Sequence, residues 1–303
     1  MRIVFFGTPD FALDSLRACV ESGHEVVAVV TQPDRERDRR KVTYSPVKQL
    51  ALDLGLKVLQ YEKVSRDGVD ELSLLSADLF VTCAFGQILS QKILDIPPLG
   101  TINVHASLLP KYRGSAPIQW AIINGDKVTG VTIMRTALKV DSGDILMQES
   151  TPIGGEETAG ELFERLKLMG GKLLKKAIEA IASSSAVYTP QDESKVVHCR
   201  MLEKSDGALD FSRDAEVLDR LIRGLTPWPS AYTRLGDKVL KIIKAKYCDL
   251  NGSIGVVTVK DSKAYVGCGK GSLELLQVQL EGGKKMDIAA FLAGHKLDGA
   301  VLG

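Results

Sequence analysis

The chain has 303 residues, 45% hydrophobic and 25% charged, which is enough apolar material for a sizeable core and excludes wholesale disorder. Its 39 Lys and Arg nearly cancel 38 Asp and Glu, so a net charge of +1 excludes attachment to nucleic acid by bulk charge alone. No apolar run approaches the roughly 18 residues of a spanning helix, and five scattered cysteines lack any Cys-x-x-Cys pair. A cytoplasmic protein with reduced thiols and no metal site is expected.

Residues 2–6 read as a buried strand, too short for a signal-peptide core. Residues 10–22 have helical apolar spacing at Phe11, Leu13, Leu16 and Val20, and Gly23 ends the pattern. Strands follow at 25–31, 57–59, 78–84 and 101–105, with helices around 46–54 and 88–95. Two further strands, 130–135 and 144–149, precede a long helix over 158–182. This alternation predicts an α/β fold, a Rossmann-like, mostly parallel sheet covered on both faces. After Ser183-Ser184-Ser185, residues 186–203 show no sustained period and read as a linker. A helix near 214–224 and strands at 238–247, 255–260, 263–268 and 273–280 predict a smaller OB-like β-barrel. The expected domains are therefore 1–185 and 204–303, joined by 186–203.

The turn after the first strand, Gly7-Thr8-Pro9-Asp10-Phe11-Ala12, has one of the three glycines that a dinucleotide fingerprint needs. Pro9 also removes an amide donor. Nucleotide cofactors are not expected.

The informative segment is Gly100-Thr101-Ile102-Asn103-Val104-His105. On a strand, Asn103 and His105 project to the same side, at the carboxyl end where open α/β sheets place ligands. An amide and an imidazole together suit a developing oxyanion, although a satisfied polar pair at a strand end is the plainer alternative. In Asp141-Ser142-Gly143-Asp144 the carboxylates have a turn-capping alternative. Asp141, between two predicted strands, can return to the sheet's carboxyl edge and favour an imidazolium at His105. There is no Gly-x-Ser-x-Gly elbow, so Ser107 is a poor nucleophile. Such a trio without a nucleophile implies direct attack of one substrate on another, hence group transfer from a bound donor.

Residues 100–119, together with Ala84-Phe85-Gly86-Gln87-Ile88-Leu89 and Thr129-Gly130-Val131-Thr132-Ile133-Met134, resemble the folate-dependent formyltransferases. The resemblance implies 10-formyltetrahydrofolate as formyl donor, without a metal, and Asn103, His105 and Asp141 as the catalytic trio. The family's spacing favours Asp141 over Asp144. It also implies that Phe85, Gly86, Gln87, Ile88 and Leu89 line a pterin pocket with the 141 loop, with further folate contacts from Ser107, Leu108, Leu109 and Pro110. Gly7 to Ala12, Thr31-Gln32-Pro33-Asp34 and the stretch 204–232 are similar to the branch of the family that acts on methionyl-tRNA. That branch implies initiator methionyl-tRNA as acceptor, a barrel that contacts tRNA, and a monomer. A sugar-nucleotide N-formyltransferase shares the catalytic segment and is the nearest alternative. A non-catalytic folate- or RNA-binding module is another, though binding alone does not need an imidazole between two polar partners.

The loop 34–48 carries Arg35, Arg37, Arg39, Arg40, Lys41 and Lys48 against Asp34, Glu36 and Asp38. Such a run is either a solvated loop or one that orders on a phosphate backbone. By the resemblance this loop enters the acceptor stem. The family's loop has glycines flanking a key arginine, and this one has none, so either Arg39 or Arg40 stands in. In the second domain Lys238, Lys241, Lys244 and Lys246 crowd one strand, where alternate positions share a face. They are read either as a tRNA-contacting stripe or as ordinary surface lysines. Trp228 and the histidines at 24, 198 and 295 are expected to be structural.

Overall fold

Apolar, β-branched runs bounded by turn residues become the strands of a seven-stranded sheet. The structure, a computed structural model, describes residues 1–37 and 41–303. In chain order the strands are β1 (Arg2–Gly7), β2 (Glu25–Thr31), β3 (Val58–Gln60), β4 (Leu79–Cys83), β5 (Thr101–His105), β6 (Val128–Arg135) and β7 (Ile145–Pro152). Their spatial order is β7-β6-β5-β4-β1-β2-β3. β1 to β5 pair in parallel, whereas β6 runs antiparallel to both β5 and β7.

On one face Val4, Phe6, Ala28, Val30 and Phe80 pack with Val64, Leu72 and Ile93 from the short helices Val64–Asp67, Val69–Leu74 and Gln91–Leu94. On the other, the helix Ala159–Ala182 approaches closely because Gly170 and Gly171 face the core. A Cβ on Gly170 would lie 3.1 Å from a Val104 methyl, and one on Gly171 only 2.7 Å from the Asp14 carbonyl oxygen. The predicted helix over 88–95 shortens to Gln91–Leu94 because 84–90 is an irregular loop. The helix Pro117–Ile123 and the two-residue strands Glu36–Arg37 and Lys41–Val42, which pair with each other, were not anticipated.

Clustering of contacts gives two compact units. The first comprises Met1–Pro117, Val128–Pro152 and Phe163–Cys199; the second comprises Ile118–Lys127, Ile153–Leu162 and Arg200–Gly303. The second contains the helix Ala215–Gly224 and an antiparallel sheet of β8 (Ala231–Leu235), β9 (Lys238–Cys248), β10 (Val257–Lys260), β11 (Lys263–Gly267), β12 (Ser272–Leu280) and β13 (Met286–Asp287). The order is β8-β9-β12-β11-β10, with β13 also on β12. Leu302 bridges Leu235 at one edge and Val301 bridges Val256 beside β10 at the other, so the tail closes the sheet. β8 and β13 lay outside the sequence reading.

Gly171→Ala should destabilise the protein by roughly 1–3 kcal/mol, because the obstructing atom belongs to backbone and cannot swing aside. A lowered urea midpoint checks this.

Candidate active site

β5 lies inside the sheet and reads Thr-Ile-Asn-Val-His, so its polar side chains are placed among neighbouring strands. Thr82, the register partner of Asn103 on β4, donates its hydroxyl to Asn103 Oδ1 at 2.8 Å. Among the described residues the Asn103 amide NH₂ has no acceptor, and the residue is only half-buried. The carboxamide is thus oriented with its donor side available.

His105 is buried, and its Nε2 lies 2.8 Å from the Tyr112 carbonyl oxygen. A carbonyl only accepts, so Nε2 carries a hydrogen. Nδ1 is left facing Asp141, whose Oδ2 is 3.6 Å away. The same Oδ2 accepts the backbone N–H of Gly114 at 2.8 Å. His105 and Asp141 therefore meet, with Asn103 two residues before His105 on the same strand.

Asp141 does not arrive by way of the sheet's carboxyl edge. β6 is antiparallel, and its last residue, Arg135, pairs with Ile102 near the start of β5. The loop that follows begins at the amino end of β5 and doubles back over the sheet face. Gly143 makes the reversal possible, since a Cβ there would sit 1.8 Å from the Arg135 carbonyl oxygen. Asp141 itself takes φ 49°, a left-handed conformation that costs an aspartate on the order of 1 kcal/mol or more.

The segment 186–203 contributes residues that sequence reasoning missed. Gln191 Nε2 donates to the carbonyl oxygens of Asp141 at 2.9 Å and Gly143 at 2.7 Å. Its Oε1 accepts from Arg113 Nε at 3.0 Å. The Arg113 side chain is fully buried, and its two terminal nitrogens hold Glu193 at 2.7 and 3.3 Å. These bonds keep the Glu193 carboxyl below its usual range. The strand His198–Cys199 pairs in parallel with Arg113–Gly114. Burial, with Asp141 adding, pushes the Cys199 thiol up to about 12, so it is no thiolate nucleophile at neutral pH.

The expected folate residues divide into those facing inward and those on offer. Phe85 and Leu89 are core, with Phe85 edge-on to Phe6. Gln87 is spent internally, accepting from Val64 N and donating to the Tyr61 carbonyl. Ile88 is 74% exposed. Ala84 and Gly86 take φ 47° and 83°, and the peptide groups of Gly86 and Gln87 have no partner among the described residues. An irregular backbone with unpaired donors and acceptors fits the hydrogen-bonding edge of a flat pterin. Ser107 is fully buried and donates to the Lys111 carbonyl at 2.6 Å. Leu109 N bonds Thr132 Oγ1 and its carbonyl accepts from Gln148, which pins 107–110 to β6 and β7. Leu108 and Pro110 are half-buried.

In the basic loop, Arg39 and Arg40 lie outside the described residues. Arg35 is exposed, and Arg37 and Lys41 sit opposite each other in the small hairpin. Lys48 is not available, because its ammonium pairs with Asp34 and with Gln60 Oε1, clamping the two ends of the loop together. In the second unit Lys238, Lys241, Lys244 and Lys246 are all exposed. Plain alternation would set Lys241 against Lys244 and Lys246. Irregular register between Ile242 and Ala245 switches the buried parity, from Leu240 and Ile242 to Ala245, and puts all three on the outer face. Lys246 pairs with Glu156 at 2.9 Å. Among the described residues no group of three or more His, Cys, Asp or Glu is placed to hold a metal, and no helix is long and apolar enough to cross a membrane.

The formyl transferase family matches residues 1–178, and its C-terminal domain matches residues 201–296. The chain belongs to the formyl transferase family. It is 46% identical over 299 residues to the methionyl-tRNA formyltransferase of Agathobacter rectalis, covering 97% of this chain and 96% of that protein. It is 45% identical over 307 residues to the methionyl-tRNA formyltransferase of Citrifermentans bemidjiense, covering 100% and 96%. Among solved structures, the N-formyltransferase of Helicobacter canadensis, in complex with folinic acid and dTDP-3-aminofucose, superposes with a TM-score of 0.71. It is 19% identical and covers 94% of this chain and 99% of its own, a likeness of fold alone.

Gly143→Ala should displace the Asp141 loop and lower turnover by roughly 100-fold or more, since misplacement of about 1 Å carries that cost. Steady-state kinetics beside a near-native circular dichroism spectrum check it.

Proposed function

We propose that this chain transfers the formyl group of 10-formyltetrahydrofolate to the α-amine of initiator methionyl-tRNA, as a cytoplasmic monomer. The observation that carries the chemistry is the Asp141 carboxylate beside the Nδ1 side of His105, with the Asn103 amide two residues earlier on the same strand. Full-length identity to methionyl-tRNA formyltransferases, against a fold-only likeness to the sugar enzyme, supports the acceptor.

In this reading the neutral amine, whose group titrates near pH 7.7–8.0 in model peptides, attacks the formyl carbon. The new C–N bond turns the carbonyl oxygen into an oxyanion, which accepts from Asn103 Nδ2 and from His105. His105 keeps Nε2 on the Tyr112 carbonyl, so Nδ1 is its working nitrogen. Asp141 balances an imidazolium and orients the proton that leaves the amine. Collapse breaks the bond to N10 of the folate, which departs with a proton, and the formamide remains on the methionine. The loops 85–89 and 136–144 hold the pterin through backbone groups more than through side chains. The basic loop 34–48 contacts the acceptor stem, and the lysines of β9 contact tRNA phosphates.

Purified protein offered charged initiator tRNA, charged elongator methionine tRNA and a 4-amino sugar nucleotide tests the acceptor. Formylation of the sugar alone overturns it, and failure to turn over any acceptor overturns catalysis. Asn103→Ala should lower kcat about 10²–10³-fold, the usual cost of one oxyanion donor, while leaving the KM for tRNA nearly unchanged. Lys241→Glu and Lys244→Glu should each raise the KM for tRNA and flatten its salt dependence, with kcat retained. Lys246→Glu should do less, because Glu156 already engages that ammonium.

A further inference from the structure

Asp141 occupies a backbone conformation that aspartate rarely adopts, in a loop that leaves the sheet at the wrong end of β5 for its carboxylate to reach His105. Such a conformation persists only where neighbours over-determine it. Two grips are present. Gly114 N holds the carboxylate, and Gln191 Nε2 holds the backbone on both sides of Ser142 through the Asp141 and Gly143 carbonyls.

The chemistry of position 191 is specific. It needs one acceptor for Arg113 Nε and two donors for two carbonyls, a set that a carboxamide supplies in one rigid plane. A carboxylate would accept only, and an ammonium would donate only. Gln191 is itself fixed, because the guanidinium that holds it is fully buried and anchored to Glu193. Arg113 therefore grips the loop twice, through Gln191 and through the N–H of its own neighbour, Gly114. Among the described residues Gln191 makes no hydrogen bond to His105 or Asn103.

We propose that Gln191 is a positioning residue that sets the distance between Asp141 and His105, an inference that rests on reading Asp141 as a member of the trio. It acts on turnover through Asp141 and touches neither substrate itself; any effect on folate binding passes through the 136–144 backbone that it holds.

The test pairs Gln191→Glu and Gln191→Met with Asp141→Ala. Gln191→Glu keeps the acceptor and loses both donors; Gln191→Met keeps the length without adding charge. Each should lower kcat about 10- to 100-fold with the KM for tRNA within about twofold of the parent, as expected for a misplaced catalytic group. In the Asp141→Ala background the same changes should cost nothing further, since residues acting as a unit are not additive. Amide hydrogen exchange at Gly114, whose N–H the Asp141 carboxylate covers, should quicken in Gln191→Met, a readout independent of activity. Losses that multiply in the double variants, a raised KM with kcat intact, or unchanged exchange at Gly114 would each overturn the inference while leaving the trio in place. Parental turnover in Asp141→Ala alone would remove the trio reading, and this inference with it.

Discussion

The constraint on which the site depends is the direction of β6. Had it run parallel to β5, the chain leaving it would have emerged at the carboxyl edge beside His105. Running antiparallel, it delivers the next loop to the far end of β5. The rest follows from covering that distance: a reversal that only glycine tolerates at 143, a left-handed aspartate, and two external grips on the loop. The sheet holds Asn103 and His105 rigidly, while the carboxylate is held by contacts made elsewhere in the chain.

Asn103 and His105 are oriented by different means. Asn103 is turned by a hydroxyl on the next strand, a contact guaranteed by parallel register. His105 is turned by a backbone carbonyl seven residues later, within a segment pinned by Thr132 and Gln148. Neither arrangement relies on a charge, so both persist whichever protonation state the imidazole takes. Beside the Asp141 carboxylate's loop, the buried guanidinium of Arg113 meets an exposed carboxylate, Glu193, which spares the protein a second buried ion.

β1 and β2 were legible because a parallel sheet buried on both faces leaves a short, unbroken apolar run, and both fall within a residue or two of their predicted bounds, as does the more polar β5. Asn103 and His105 were legible because spacing by two on a strand fixes a common face. The route of Asp141 was not, since strand direction cannot be read from composition, and the carboxyl edge was assumed. Gln191 and Arg113 were invisible for another reason. A single amide in an aperiodic stretch carries no pattern, and its partners lie about 50 and 78 positions away along the chain. The lysines of β9 were seen, but their common outer face depends on a bulge that no periodicity announces. Lys48 looked like one more cation of the loop, and its engagement with Asp34 and Gln60 exists only once β3 is in place.

The strap formed by residues 189–199 also orders events in time. Translation is vectorial, so every strand of the first sheet and all three site residues are made before Gln191 and Glu193. A nascent chain that has just finished its long helix already holds Asn103 and His105 on a complete sheet. Of the two grips on the aspartate loop it has the Gly114 N–H but not yet Gln191. The machinery for handling a reactive one-carbon donor is thus assembled last, by a stretch that completes the first unit immediately before the barrel's chain begins.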